Sequence, residues 1–229
     1  MSKKVIIFGT NQTGQLAHYY FTNDSEFEVV GFTVDSAYKT SEQFCGLSVH
    51  DFEEIENYHS PDEVYMFAAL SYAKMNEIRE AKIKEIKEKG YKLASYISSK
   101  ATIFGNVKVG EHNFILEDNT IQPFVEIGDN NTLWSGNHIG HHSKIGNNNF
   151  ITSHVVVSGN VVIGDNCFIG VNATLRDGIE IADQTLIGAN AFINRSTKRE
   201  EIYKGIKAQL SNKKSDQTAI SNYKVTVAD

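Results

Sequence analysis

The chain has 229 residues, with 22 Lys and Arg against 28 Asp and Glu and a formal net charge of −6. That length allows one or two domains with ample core, and the acidic balance gives no support to nucleic-acid or anionic-membrane binding. Two cysteines, Cys45 and Cys167, make no disulfide framework and fit a reducing cytoplasm, while the apolar run Val5-Ile6-Ile7-Phe8 is too short for a signal peptide or membrane span.

Val5 to Phe8 reads as a buried strand, followed by GTNQTG (Gly9 to Gly14) and a helix from about Gln15 to Thr22. Strand, glycine turn and helix open a nucleotide-binding α/β unit, whose backbone N–H groups at the turn suit a phosphate. Asn11 stands where the second glycine of the G-x-G-x-x-G fingerprint belongs, which disfavours NAD. Glu28 to Val34 predicts a second strand with Asp35 at its carboxyl end, where an acid meets a ribose or base edge; Asp35-Ser36 equally suits a turn or helix cap. Val64 to Leu70 predicts a third strand. Ser71 then precedes a helix with Met75, Ile78, Lys82, Ile83 and Ile86 as its packing positions, and Lys92 to Ile97 predicts a fourth strand. Residues 1–97 are thus expected to form a small α/β domain.

From Ile103 to Ile193 every sixth residue is a branched aliphatic: Ile103, Val109, Ile115 and so on through Ile181, Ile187 and Ile193. A period of six is neither the 3.6 of a helix nor the 2 of a long strand, and it predicts a parallel β-helix over residues 98–195. Four residues after each aliphatic the side chain is often short (Asn113, Asn131, Ser143, Cys167, Ala173), as a second inward position requires. Val109-Gly110, Ile127-Gly128, Ile145-Gly146 and Ile163-Gly164 recur every eighteen residues, so each coil has three sides. These glycines are expected at turns. At the usual strand spacing of about 4.8 Å the coils stack into a prism roughly 25 Å tall. Beyond Ile193 the hexad fails, and residues 196–229 are expected to cap the open end, with YKVTV (223–227) as a candidate strand.

Chemistry has to sit on outward positions. His138, His141 and His142 fall within GNHIGHHSKIG, and His154 follows in FITSHVVVSG; none is on an inward hexad position. Each has the plain alternative of bonding a neighbouring coil. Gly159 follows His141 by eighteen residues and is expected one coil away on the same face. An imidazole base beside a free backbone N–H suits acyl transfer: the ring takes the nucleophile's proton and the amide donates to the oxyanion. Cys167 points inward and no G-x-S-x-G elbow exists, so direct transfer from a thioester is favoured over a covalent acyl-enzyme. The metal alternative is a zinc held by His138, His141, His142 and His154 across a subunit interface, as in β-helix carbonic anhydrases. Their spacing makes no clear ligand set, and no metal is expected.

With these residues in hand, the chain resembles the bacterial nucleotide-sugar acetyltransferases of the left-handed β-helix superfamily. The resemblance spans about residues 3–208 and rests on the glycine-turn domain with SYAKMNEIR, GYKLASYIS, IGHHSKIG, HVVVSG and YKGIKA. It is strongest to N-acetyltransferases of 4-amino-4,6-dideoxyhexoses (viosamine, perosamine, bacillosamine); sialic-acid O-acetyltransferases share the layout. The resemblance implies a homotrimer using acetyl-CoA on a nucleotide-linked amino sugar in cytoplasmic lipopolysaccharide or O-antigen biosynthesis. His141 is then the general base and Gly159 the oxyanion donor. The family's Asp or Glu after the base is replaced by His142, which leaves the orienting group open. The implied substrate residues are Asn11, Gln12, Asp35, Tyr72, Asn76, Arg79 and His138, with a surface salt bridge as the alternative for Arg79. Along the coenzyme the implied residues are His154, Gly159, Ala173, Gly205 and Lys207, the last in GIKA where the family has G-x-P-A-K. Outward Phe124, Trp134 and Phe150 give the trimer its indirect support in the sequence. Sugar O-acetylation, a zinc hydratase and a non-catalytic trimeric scaffold are the competing readings.

Overall fold

The computed structural model describes residues 2–208, 210–212 and 214–217. The N-terminal sheet contains β1 (Lys3–Phe8), β2 (Phe27–Val34), β3 (Gln43–Phe44), β4 (Leu47–Asp51), β5 (Val64–Ala68) and β6 (Lys92–Leu93), in the order β3-β4-β2-β1-β5-β6. All pairings are parallel except β3 with β4. β3, β4 and a 3-10 turn at Phe52–Asn57 fill the stretch that periodicity had left blank. β3, with two residues, carries no readable alternation. Helix α1 (Gln12–Asn23) starts three residues earlier than expected, because Asn11 caps it: its Oδ1 accepts from the Gly14 N–H at 3.0 Å. Gly14 has to be glycine, since a Cβ there would stand 2.1 Å from the Gly9 carbonyl oxygen.

Helix α2 (Glu77–Glu88) follows three consecutive left-handed residues, Lys74, Met75 and Asn76. The expected fourth strand divides. Lys92–Leu93 stays in the N-terminal sheet, whereas Tyr96–Ile97 pairs with Phe114–Ile115 and is already the first rung of the solenoid.

The solenoid is a three-faced prism of parallel two-residue strands. The first face runs from Tyr96–Ile97 through Phe114–Ile115 to Ile202–Tyr203; the second from Thr102–Ile103 through His138–Ile139 to Phe192–Ile193; the third from Lys108–Val109 through Lys144–Ile145 to Glu180–Ile181. Each hexad aliphatic from Ile115 on is buried, and together they form one continuous core. The inward asparagines are satisfied in ladders. Asn131 Nδ2 donates to the Gly146 carbonyl at 2.9 Å, and its Oδ1 accepts from the Asn149 N–H at 2.9 Å.

The corners begin at the recurring glycines, as expected, but the left-handed residue falls two positions further on. Left-handed backbone occurs three residues after each aliphatic from Val109 to Ile187, at His112, Asp118, Phe124, Asn130, Gly136, His142 and their successors. Asn tolerates that region and dominates there. Gly110, Gly128, Gly146 and Gly164 have no positive φ; they are glycines because coils touch at them. A Cβ on Gly128 would lie 2.5 Å from Asn147 Oδ1 and 2.7 Å from the Gly146 carbonyl oxygen.

The N-terminal domain packs on the first face through Phe114, Phe150 and Phe168 and through Asp24, whose Oδ2 accepts from Tyr96 OH at 2.7 Å and the Ser99 N–H at 3.0 Å. This corrects the reading of Trp134 and Phe150 as trimer-facing: Phe150 is 4% exposed under Tyr72, and Trp134 packs against the N-terminal core. Past Ile193 the chain folds over the last coil, with Thr197 Oγ1 accepting from the Ala182 N–H at 2.9 Å. YKVTV lies outside the described residues.

Candidate functional site

The vertex between the second and third faces carries His141 and His142. Both are exposed. His142 takes the left-handed turn and stacks on Phe124, one coil earlier, at 4.6 Å and 28°. His141 donates its backbone N–H to Gln122 Oε1 at 2.9 Å, and its Nδ1 lies 3.1 Å from His142 Nδ1. Phe124 thus holds His142, and His142 holds His141. If His141 Nδ1 carries the proton and donates, its Nε2 is left as the basic nitrogen and the proton of His142 sits on Nε2.

On its other side the His141 ring packs against Gly159. A Cβ there would stand 2.7 Å from His141 Cε1 and 2.8 Å from Nε2, so only glycine admits the ring. The Gly159 N–H has no acceptor among the described residues. At the equivalent positions of the vertex between the third and first faces, Glu111, Asp129, Asn147 and Asp165 each donate this N–H to a side-chain oxygen one coil on, at 2.8, 2.8, 2.6 and 2.9 Å. The His141 vertex therefore presents an aromatic base and an unpaired amide side by side, a pair able to take a proton and stabilise an oxyanion.

His138 points outward from the second face, half-buried between Thr120 and Val156, and shares this edge with His141. His154 lies on a different vertex, beside Gly136, so the four histidines do not converge. Among the described residues no three His, Cys, Asp or Glu are grouped to hold a metal. Gly205 lies against the last coil, where a Cβ would be 1.7 Å from the Ala189 carbonyl oxygen, and Lys207 is exposed. Ala173 is a correction: fully buried in the prism core, it has no surface to offer a coenzyme.

Five of the expected substrate residues divide between two cavities. Asn11 and Asp35 come together at the carboxyl ends of β1 and β2, with Thr10, Tyr38 and Lys82, around a cavity of about 500 Å³. Asp35 Oδ1 accepts from Lys82 Nζ at 2.7 Å, and that ammonium sits 4.8 and 4.5 Å from the Phe8 and Phe52 rings. Burial alone would lower the Lys82 pKa, but hydrogen bonds to Asp35 and Glu85 carry it above its ordinary value. Gln12, Tyr72 and Arg79 line the other cavity, between α1, β5 and the first face. Arg79 is no surface salt-bridge partner. It is 1% exposed and donates to Asn130 Oδ1 and to the Asn130 and Asn149 carbonyls at 3.0, 3.0 and 3.1 Å. Asn76 is also a correction: fully buried, with Nδ2 donating to the Cys167 carbonyl, it braces α2 on the solenoid and faces no cleft.

Sequence reading missed the partners of Arg79. His112 is 2% exposed; its Nε2 accepts from the Ala68 N–H at 2.8 Å, and its Nδ1 bonds the same Asn130 oxygen at 2.8 Å. Burial, and then the Arg79 charge, push its pKa down to about 3, so it stays neutral. Only its place at a left-handed turn, six residues from the next, marked it in the sequence.

Fold and vertex together make a left-handed parallel β-helix, built on six-residue repeats, that carries an α/β domain on one face. The family model described as bacterial transferase hexapeptide (six repeats) matches residues 125–159 and 160–195. Among solved structures, the acetyltransferase domain of PglB from Neisseria gonorrhoeae FA1090 is similar at 19% identity and a TM-score of 0.78, over 89% of this chain and 97% of that one. PerB from Caulobacter crescentus, solved with CoA and GDP-perosamine, is similar at 18% identity and a TM-score of 0.78, over 93% and 99%. WeeI from Acinetobacter baumannii AYE follows at 17% identity, 89% and 94% coverage and a TM-score of 0.57. No curated protein sequence matches the chain.

Proposed function

We propose that this protein is an acetyl-CoA-dependent N-acetyltransferase acting on the 4-amine of a nucleotide-linked 4-amino-4,6-dideoxysugar. The observation that carries the reading is the His141 ring packed on Gly159 beside an unpaired amide. Similarity to folds solved with acetyl-CoA and with CoA plus GDP-perosamine supports it. Acetyl-CoA supplies an activated acyl group. The amine lone pair attacks its carbonyl carbon, His141 Nε2 takes the amine proton, and the Gly159 N–H donates to the oxyanion. Collapse forms the amide and breaks the C–S bond, and the proton leaves with the thiolate. No residue need become acylated, and Cys167, buried with its pKa raised to about 11 by desolvation, is unsuited to it.

Within one subunit the parts are apart. The α/β domain covers the first face, whereas His141 stands on the vertex opposite that face. A neighbouring copy has to bring a nucleotide cleft and a His141 vertex together, and this supports the homotrimer. Phe124, Phe192, Ile206 and Leu210, exposed by 57, 64, 91 and 98%, offer apolar surface for it. Asn11 and Asp35 are assigned to the nucleotide. No described helix is long and apolar enough to cross a membrane, and a cytoplasmic site of action follows from the donor.

O-acetylation is the second reading. A hydroxyl depends more on its base than a neutral amine does. Here the base is backed by the imidazole of His142 and not by a carboxylate, which favours the amine. Assaying amino against hydroxy sugars with acetyl-CoA tests this: transfer to the amino sugar is expected, and transfer to the hydroxy sugar alone overturns it. Light scattering tests the trimer.

A further inference from the structure

The cavity between α1, β5 and the first face is lined by Gln12, Tyr72 and Arg79, which no step of the acetyl transfer above uses. Its volume is about 450 Å³, within the range of small-molecule sites. Its walls are aromatic: Trp134 and Phe150 lie 6.4 Å apart, and Tyr72 meets Phe150 edge-on at 5.0 Å. Gln12 and Tyr72, both exposed, flank its mouth, while Arg79, His112 and Phe150 are buried at its floor.

Electrostatically the lining is one-sided. It contains no Asp, Glu or Lys, and its histidine is held neutral between Ala68 and Asn130. Among the described residues its sole formal charge is the Arg79 guanidinium, at 5.9 Å from the Phe150 ring. All three of its protein bonds go to uncharged oxygens, and no carboxylate among the described residues pairs with it. Buried guanidinium groups are ordinarily paired with acids, because an isolated charge is poorly solvated inside a protein. Two buried donors of this same wall, Arg79 Nη1 and Trp134 Nε1, also lack a protein acceptor. An apolar, aromatic-walled cavity with one cation and two unspent N–H groups is complementary to a ring bearing a negative charge.

We propose that this junction cavity is a binding site for a small aromatic carboxylate, separate from the nucleotide cleft at Asp35. The ring lies among Trp134, Phe150 and Tyr72, and the carboxylate answers the charge of Arg79. Such a ligand touches α1 and the solenoid together, so it stabilises the docking of the two domains.

Calorimetry and thermal shift with benzoate, benzamide and acetate on the full chain test the proposal. Benzoate is expected to bind saturably and raise the melting temperature, with uncharged benzamide and ringless acetate each at least about tenfold weaker. Leu16→Trp fills the cavity from α1 without touching Arg79; it should abolish benzoate binding while the unliganded melting temperature and nucleotide-sugar binding are retained. Trp134→Phe keeps the ring, drops one donor and should weaken benzoate severalfold. No benzoate binding, equal binding of benzamide, or benzoate binding that survives Leu16→Trp each overturns the proposal. Since none of these readouts uses acetyl-CoA, their failure leaves the acetyltransferase reading to its own assays.

Discussion

Two vertices of the prism share one backbone and differ in what their side chains do with it. Along Glu111, Asp129, Asn147, Asp165 and Asp183, side-chain oxygens close the amides of the coil before, rung after rung. Along Pro123, His141, Gly159 and Asp177 the ladder fails. Gly159 has no side chain to reach back to His141, so Gln122 serves that amide, and among the described residues no side chain reaches back to Gly159. A closed vertex is structural because its donors are spent. An open one leaves the Gly159 N–H unspent, and the missing Cβ of Gly159 makes room for the imidazole.

The comparison is broken most directly at His141. His141→Asn or His141→Ala is expected to lower kcat by about 10²–10⁴-fold with oligomer and melting temperature intact; an unchanged kcat removes the residue from the mechanism. Next come paired glycine substitutions. Gly159→Ala places a methyl 2.7 Å from the His141 ring and should cost about 10²-fold in kcat, with little loss of stability because an exposed ring can swing away. Gly128→Ala on the laddered vertex meets Asn147 Oδ1 and a backbone carbonyl, and should lower stability by about 1–3 kcal/mol with kcat per folded enzyme preserved. Matching effects at both glycines would erase the distinction between the vertices.

Smaller effects sharpen it. His142→Ala frees the His141 ring and should reduce kcat about tenfold, whereas His142→Asp supplies an ionised acceptor and should restore or exceed the parent rate. Rates in which Asp is no better than Ala would show that His142 orients nothing. The smallest effect lies away from either vertex, at Asp24. Hydrogen bonds, led by those from Ser99 and Tyr96, hold its pKa at about 2 in the folded protein. A depressed carboxylate stabilises above its unfolded pKa of about 3.9, and that stability drains away as pH falls from about 4 towards 2. Asp24→Asn should therefore lower the melting temperature slightly at pH 7 and flatten its decline across that acid window. A parallel decline in parent and variant would remove Asp24 from the account.

The hexads made the prism legible because each inward aliphatic is dictated locally by its coil and repeated without a break. The adjacency of His141 and Gly159 was legible for the same reason: eighteen residues make one coil, and a periodic fold converts sequence distance into spatial distance. The α/β domain has no such period. Its short β3 and β4 strands and the cap by Asn11 were decided by contacts that no spacing announces. Glycines after the aliphatics suggested turns, whereas close contact between coils, a property of the stack and not of any one coil, was their cause.

By itself the sequence determined the period, the three faces and which side chains leave the core, because burial of an aliphatic column leaves one inward register. Only the tertiary structure decided that Arg79 and Asn76 are buried braces, that Trp134 and Phe150 lie beneath the N-terminal domain, and that His142 leans on Phe124 to hold His141. Those contacts join residues from 18 to 91 positions apart across a domain boundary or a coil, where docking geometry, not local pattern, chooses the partner.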